Sequence, residues 1–254
     1  MMSERPCMVD GRECDCGLLP DGLFVYQEVR TAGTAALHCR RHSEILDMAS
    51  REVLGFGIRT DAHALEGRIA ALLARNGYPD DGLSFVTLRQ YMSGEFVIMA
   101  NAIFPYRQRK LRLLSPRAGV VDWDPPFTEH RTSASESAER LAVRQLQKYD
   151  KNVKCAIRRS RTGEAVSIDG SPFFIIENGE AVSPPPAVPS VEFEAAAEAI
   201  HRAGVPFSTA AIDTERLLGA DELFFADCRG ITAVSTYEDH LYIHLLAERV
   251  ARFY

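Results

Sequence analysis

Apolar positions along this chain change period several times, and each change marks an element. Between Cys7 and Cys16 the residues fold back about Asp10-Gly11, which predicts a short strand–turn–strand. Asp21-Gly22-Leu23-Phe24-Val25-Tyr26 opens a long β segment through Val29 that turns at Gly33. A helical period follows over Glu44–Leu54, with Ile45, Met48, Ala49 and Val53 on one face and Ser43 as N-cap. Leu65, Ile69, Leu72 and Leu73 repeat it over Thr60–Arg75, and Asn76-Gly77 stops it. Ser84–Tyr91 and Glu95–Tyr106 return to strand, as an antiparallel pair about Ser93-Gly94, and Lys110–Leu114 fits a further strand.

Turn formers then fill Ser115–Pro126, which also holds the single tryptophan, Trp123. Ser133 and Glu136 make a capping box for a helix to about Tyr149. Its buried stripe is expected on Ala134, Ala138, Leu141, Ala142, Leu146 and Tyr149. Gly163–Pro186 reads as a β meander. Ala165–Ile168 is a short strand, Asp169-Gly170 a turn, Pro172–Ile176 an apolar run, Asn178-Gly179 a hairpin signal and Pro184–Pro186 a stop. Ser190–Gly204 is helical with Ser190 as N-cap, Leu217–Ala220 is a short helix before a buried strand, and Leu241–Tyr254 is a closing amphipathic helix. Turn formers at 119–125 divide the chain into a small α+β part, 1–118, and a larger part, 126–254.

With 254 residues, 46% of them hydrophobic, the chain can bury a sizeable core. A net charge of −6 with both signs interspersed is not that of a nucleic-acid binder. No apolar run approaches the roughly 20 residues that span a bilayer, and the first residues lack a signal-peptide core. Six cysteines are too few for a disulfide scaffold, so the expected compartment is the reducing cytoplasm. Cys7, Cys14, Cys16, His38, Cys39 and His42 invite a zinc reading, but Cys14-x-Cys16 is closer than structural sites usually allow, and scattered thiols are the plainer reading. Arg107, Arg109, Lys110, Arg112 and Arg117 form the one basic run, which suits a solvated edge strand better than an anion site.

Three blocks carry a resemblance: Asp21–Tyr26, Gly163–Pro186 and Leu217–Phe225. In the second, Gly163, Val166, Gly170, Ser171, Phe174, Gly179 and Pro184 fit a frame in which a glycine precedes V-T-E and S-N-x-F. The chain resembles the class IV aminotransferases, the fold-type IV enzymes of pyridoxal phosphate (PLP), which include branched-chain and D-amino-acid aminotransferases and aminodeoxychorismate lyase. The resemblance implies a two-domain α/β (α+β) fold, a homodimer, and a small molecule held in the cleft between domains.

It also implies a set of site positions. Tyr26, Ile45, Ser171, Cys228 and Arg229 fall on cofactor-pocket positions, and Arg131, Thr132 and Ser167 on catalytic ones. Several are altered. The family's Schiff-base lysine belongs in Glu129-His130-Arg131-Thr132, which has none, and Arg131 cannot substitute because a guanidinium is no amine nucleophile. Ile45 stands where an arginine grips the phosphate, and Ser167 where a glutamate faces the pyridine nitrogen. At the helix start that would hold the phosphate, Pro189-Ser190-Val191-Glu192 places acid. Of the four lysines, Lys148 and Lys151 lie at the far end of the helix, more than ~20 Å away at 1.5 Å per residue. Lys154 opens the next strand and Lys110 lies in the basic run.

The expectation is a catalytically atypical homologue that binds a small molecule or a partner and carries no cofactor. The rival is a working PLP-dependent aminotransferase or lyase acting on amino acids or aminodeoxychorismate. A third reading is a PLP-free enzyme that uses His130, Arg131 or Cys228.

Overall fold

The computed structural model describes residues 6–14, 19–104, 111, 115–125 and 127–254. They form two compact units, Met1–Gln108 with His130–Ala134, and Arg109–Glu129 with Ser135–Tyr254.

The first unit is an antiparallel six-stranded sheet with two helices on one face. β1 (Cys7–Val9) and β2 (Arg12–Cys14) turn at Asp10 and Gly11, both with positive φ, as a tight two-residue hairpin requires. Then come β3 (Phe24–Ala32), β4 (Ala35–Ala36), α1 (Cys39–Leu54), α2 (Ala62–Arg75), β5 (Leu83–Tyr91) and β6 (Phe96–Ala100). The strand order is β2-β1-β6-β5-β3-β4. Alternation along β3 sends Val25 and Val29 into a core with Leu46, Leu65, Ile69, Leu72 and Leu73 of the helices. Phe24 and Tyr26 pack instead with Tyr91 and Val97.

α1 begins about a turn earlier than the sequence predicted. Ser43 is not its cap but a buried residue of its second turn, and the N-cap is His38, in the left-handed region at φ 52 and without a side-chain cap bond. Starting at Cys39 adds that buried thiol to the stripe of Leu46, Ala49 and Val53. This tertiary burial outweighs a missing cap, which is worth about 1 kcal/mol. α2 is capped by Asp61, whose carboxylate accepts from Ala64 N at 2.8 Å.

The second unit contains two five-stranded sheets. Its strands are β7 (Arg117–Asp122), β8 (Val153–Arg159), β9 (Ala165–Ile168), β10 (Phe173–Glu177), β11 (Glu180–Ser183), β12 (Phe207–Thr209), β13 (Glu222–Asp227), β14 (Gly230–Ala233), β15 (Thr236–Tyr237) and β16 (His240–Leu241). One sheet runs β12-β11-β10-β13-β14 and the other β16-β15-β7-β8-β9. Phe173, Ile175, Leu223 and Phe225 of the first share a core with Cys155, Ile157, Ala165 and Ile168 of the second. Phe174, Ile176, Phe224 and Ala226 point the opposite way, onto α4 (Val191–Arg202) and α6 (Leu245–Ala251). Burial on both faces is why β10 reads as an unbroken apolar run. α3 (Ser133–Leu146) and α5 (Thr214–Gly219) complete the helices.

Three expectations are corrected here. The segment 119–125, expected as a linker, contributes to β7, which pairs in parallel with β8. The stripe of α3 is rotated from the predicted one: Ser135 and Ala142 are buried, while Leu141 is 62% and Tyr149 84% exposed. Gly119 of β7 sets this phase, since a Cβ there would lie 3.0 Å from Leu146 Cδ1. The closing helix starts at Leu245 rather than Leu241, because the buried Glu222 carboxylate accepts from Leu246 N at 2.8 Å and Ala247 N at 2.9 Å. The expected strand over Lys110–Leu114 and the basic run up to Arg112 fall almost wholly outside the described residues; Leu111 bridges Ile231.

Candidate functional site

In the first unit, the segment that should carry the family's lysine returns to β3. Tyr26 N donates to Arg131 O at 3.0 Å and Val25 bridges Thr132. Arg131 is thereby fixed beside β3. Its guanidinium lies 3.4 Å from a Glu28 carboxylate oxygen and 5.3 Å from the centre of the Tyr26 ring. Alternation along β3 places Tyr26 and Glu28 on one face, so both meet the same cation. Next to Arg131, the buried His130 meets Glu52 through Nε2 at 2.8 Å. On the opposite face of β3, Gln27 bonds the buried His42 at 3.0 Å. Ile45 is buried in α1 and offers no donor. A surface hollow of ≈ 420 Å³ at the start of α1 is lined by His38, Cys39, Arg40, Arg41, Glu44 and Glu66; His38 and Cys39 belong to the zinc reading, and none falls on a cofactor or catalytic position of the resemblance.

In the second unit, Ser167 on β9 stands opposite Arg158 on β8. Arg158 is only 8% exposed; its Nε donates to Ser167 Oγ at 3.3 Å and its Nη2 to Glu129 at 2.7 Å. The guanidinium also lies 5.3 Å from the centre of the Trp123 ring. A hydroxyl that accepts from a cation keeps its own proton to donate, so Ser167 suits an acceptor on a ligand. The turn after β9 needs its glycine: Gly170 has φ 71, and a Cβ there would collide with the Glu139 carboxylate. This turn holds the buried Ser171, whose N donates to Ile168 O at 2.9 Å.

The turn between β13 and β14 carries Cys228, which is buried, and Arg229, whose side chain is 42% exposed. Arg229 donates from N and Nε to Asp227, at 2.8 and 2.9 Å. At the start of α4, Ser190 Oγ accepts from Phe193 N at 3.2 Å and donates to Glu192 at 3.0 Å. The helix end is therefore served by its own side chains.

Within the first unit the structure thus gathers Arg131, Thr132 and Tyr26, and leaves Ile45 on a helix. In the second, Ser167 and Ser171 flank one turn while Cys228 and Arg229 share another. Sequence reasoning missed Arg158, Glu129, Glu28 and Glu52. Arg158 carries no local signal, since Arg159 follows it directly and only the strand register sets it against Ser167. Among the described residues, no three His, Cys, Asp or Glu gather to hold a metal, and Cys16 lies outside them. No helix among them is long and apolar enough to cross a membrane.

No family model matches the sequence, nor does any curated protein. Solved structures do match the fold. A branched-chain aminotransferase from Thermoproteus uzoniensis with norvaline has a TM-score of 0.82 at 18% identity, over 99% of this chain and 94% of that one. An aminotransferase from Brucella abortus bound to PLP gives 0.81 at 15%, over 98% and 96%. A T.th. branched-chain aminotransferase complexed with N-(5'-phosphopyridoxyl)-L-glutamate gives 0.80 at 15%, over 98% and 93%.

These neighbours correct the expectation of no cofactor, because the Brucella protein is bound to PLP and the T.th. protein to a phosphopyridoxyl compound. In the segment to which the resemblance assigns the Schiff-base lysine, the described residues offer none. No lysine stands at Arg131, and the three described lysines are exposed, with Lys148 Nζ donating to Gln145 and Lys154 Nζ to Lys151 O. A non-covalent ligand is compatible with the free hydroxyl proton of Ser167 and the exposed guanidinium of Arg229. At identities this low the likeness speaks for architecture alone, and the architecture is that of the class IV aminotransferases, the fold-type IV PLP enzymes.

Proposed function

We propose that this chain is a small-molecule-binding homologue of the class IV aminotransferases, one that has lost the Schiff-base lysine and the phosphate arginine and holds PLP without a covalent bond. The observation that carries the reading is Arg131, tied by its carbonyl to Tyr26 N and by its guanidinium to Glu28. That cation stays protonated and offers no lone pair to an aldehyde.

The remaining roles follow from donor chemistry. When bound, PLP supplies an electron-withdrawing ring with an aldehyde. Ser167, oriented by Arg158, donates its hydroxyl proton to a neutral ring nitrogen. A family glutamate would instead keep that nitrogen protonated. Arg229, held by Asp227, supplies a cation for the phosphate in place of the arginine replaced by Ile45. The homodimer implied by the resemblance belongs to the same reading, and light scattering that finds a monomer at micromolar concentration counts against it.

The test is a titration of the purified chain with PLP, followed by absorbance and gel filtration, then borohydride reduction and intact mass. The expected result is saturable binding that is lost on filtration, with no mass gain after reduction. Stoichiometric labelling of a lysine would install the ordinary aminotransferase reading, and absence of saturable binding removes the proposal.

A further inference from the structure

The cysteines near the N-terminus are not used by the reading above, and two of them are placed together by the fold. The β1–β2 hairpin sets Cys7 directly opposite Cys14. Directly opposed residues of an antiparallel pair have Cα atoms about 4.5–5.5 Å apart, within the range of about 4.4–6.8 Å that disulfides span. Their sulfurs lie on the same side, with Cys7 Sγ 2.7 Å from Cys14 Sγ. No backbone movement is needed to join them.

The hairpin is held in that register from several directions. Asp10 N donates to Phe96 O at 2.9 Å, and Asp10 Oδ1 accepts from Phe96 N at 3.0 Å, docking the turn on β6. Arg75 of α2 donates to Glu13, the neighbour of Cys14, at 3.0 Å. The two thiols also differ in access: Cys7 is 1% exposed and Cys14 is half-buried. One can meet a reagent from solution and the other can only answer it. The remaining described cysteines, Cys39, Cys155 and Cys228, are all buried. Burial pushes the Cys39 thiol up to about 11, which leaves it un-ionised and unreactive.

We infer that Cys7 and Cys14 are a thiol–disulfide exchange site whose co-substrate is a low-molecular-weight disulfide. The Cys14 thiolate attacks one sulfur of that reagent, whose sulfur–sulfur bond breaks and releases one small thiol. The Cys7 thiolate then attacks the Cys14 sulfur and expels the second small thiol. Two protein thiols become one disulfide, the reagent takes up both electrons, and both protons leave on the released thiols. The reverse exchange reopens the pair, so in a reducing compartment the bond is transient and reports the thiol balance.

The experiment uses the full chain and glutathione disulfide. After incubation and acid quenching, intact mass is expected to lie two hydrogens below that of the reduced chain and to be restored by dithiothreitol. Cleavage at Arg12 parts the two cysteines, so their peptides stay joined only through the bond. Cys16 shares a peptide with Cys14, and Cys16→Ser is expected to keep the linkage. Cys7→Ser is expected to stop at the mixed disulfide on Cys14, and Cys14→Ser to leave Cys7 unmodified. Local opening of the hairpin, read by amide exchange across Cys7–Cys14, is expected to slow roughly ten-fold on oxidation. A chain that stays fully reduced, or a link from either residue to Cys16, overturns the inference.

Discussion

Returning an amine to position 131 is the most direct challenge to the proposed function. Arg131→Lys removes a guanidinium that lies 3.4 Å from Glu28 and 5.3 Å from the Tyr26 ring centre. The Arg131 and Glu28 side chains are 20% and 23% exposed, so the ion pair is worth at most about 1 kcal/mol. The cation–π contact adds about 0.5–1 kcal/mol. Lysine keeps the charge and recovers part of both, leaving a net loss of about 1 kcal/mol, or roughly 2–4 °C in Tm for a chain of this size. The backbone bond between Tyr26 N and Arg131 O does not involve the side chain, so the segment stays in place. The variant is incubated with PLP, reduced with borohydride, digested and mapped. The expected outcome is an adduct at residue 131 in the variant and none in the parent. A variant that melts within the stated range, binds PLP and yet gains no adduct at 131 would refute the correspondence between Arg131 and the family's lysine.

Other expectations concern the scaffold. Glu222→Ala deletes the acceptor of two amides at 2.8 and 2.9 Å and strands both in a buried setting. The expected loss is about 3–5 kcal/mol, read as a lower urea midpoint, and a loss below about 1 kcal/mol would show that α6 is held by other means. Phe174→Ala empties a fully buried site stacked on Phe224 at 5.2 Å and on Phe193 at 6.0 Å; it should cost about 3–5 kcal/mol by the same assay. Burial pushes the Tyr237 phenol up to about 12 from 10.0, with Glu238 adding to it. An acid whose folded pKa is raised keeps its full contribution below its unfolded value and loses it as pH climbs to the folded one. Urea stability should therefore fall between pH 10 and 12, and Tyr237→Phe should reduce that fall; an unchanged pH profile in the variant would exclude Tyr237 as its source.

What could be read from the sequence was what has a local cause. Asp169-Gly170 and Asn178-Gly179 are turns because those side chains tolerate positive φ, and all four residues adopt it. Ser190 caps α4 as its spacing implied. The failures have causes elsewhere in the chain. α1 extends to Cys39 because a core receives that thiol, and α3 rotates because β7 offers a glycine opposite Leu146. The positions that the resemblance marks as substituted could be proposed by pattern, since each is a single residue in a recognisable frame. Their partners could not: Glu28 lies on β3, far in sequence from the Arg131 segment, and Arg158 joins Ser167 only through the β8–β9 register.

The return of Thr132 to β3 also sets an order of events during synthesis. The strands of the first sheet are all translated by Ala100, and β4 covers only Thr31 and Ala32 on the outer side of β3. The other end of that edge waits for Arg131 and Thr132, about 30 residues later, which is roughly 2–6 s at cellular elongation rates. For that interval Tyr26 shows an open amide beside a buried-type strand, the kind of edge on which nascent chains pair with one another. A fragment ending near residue 104 keeps the edge open permanently, so it should be more prone to aggregation than the whole chain even though it contains every strand of the sheet.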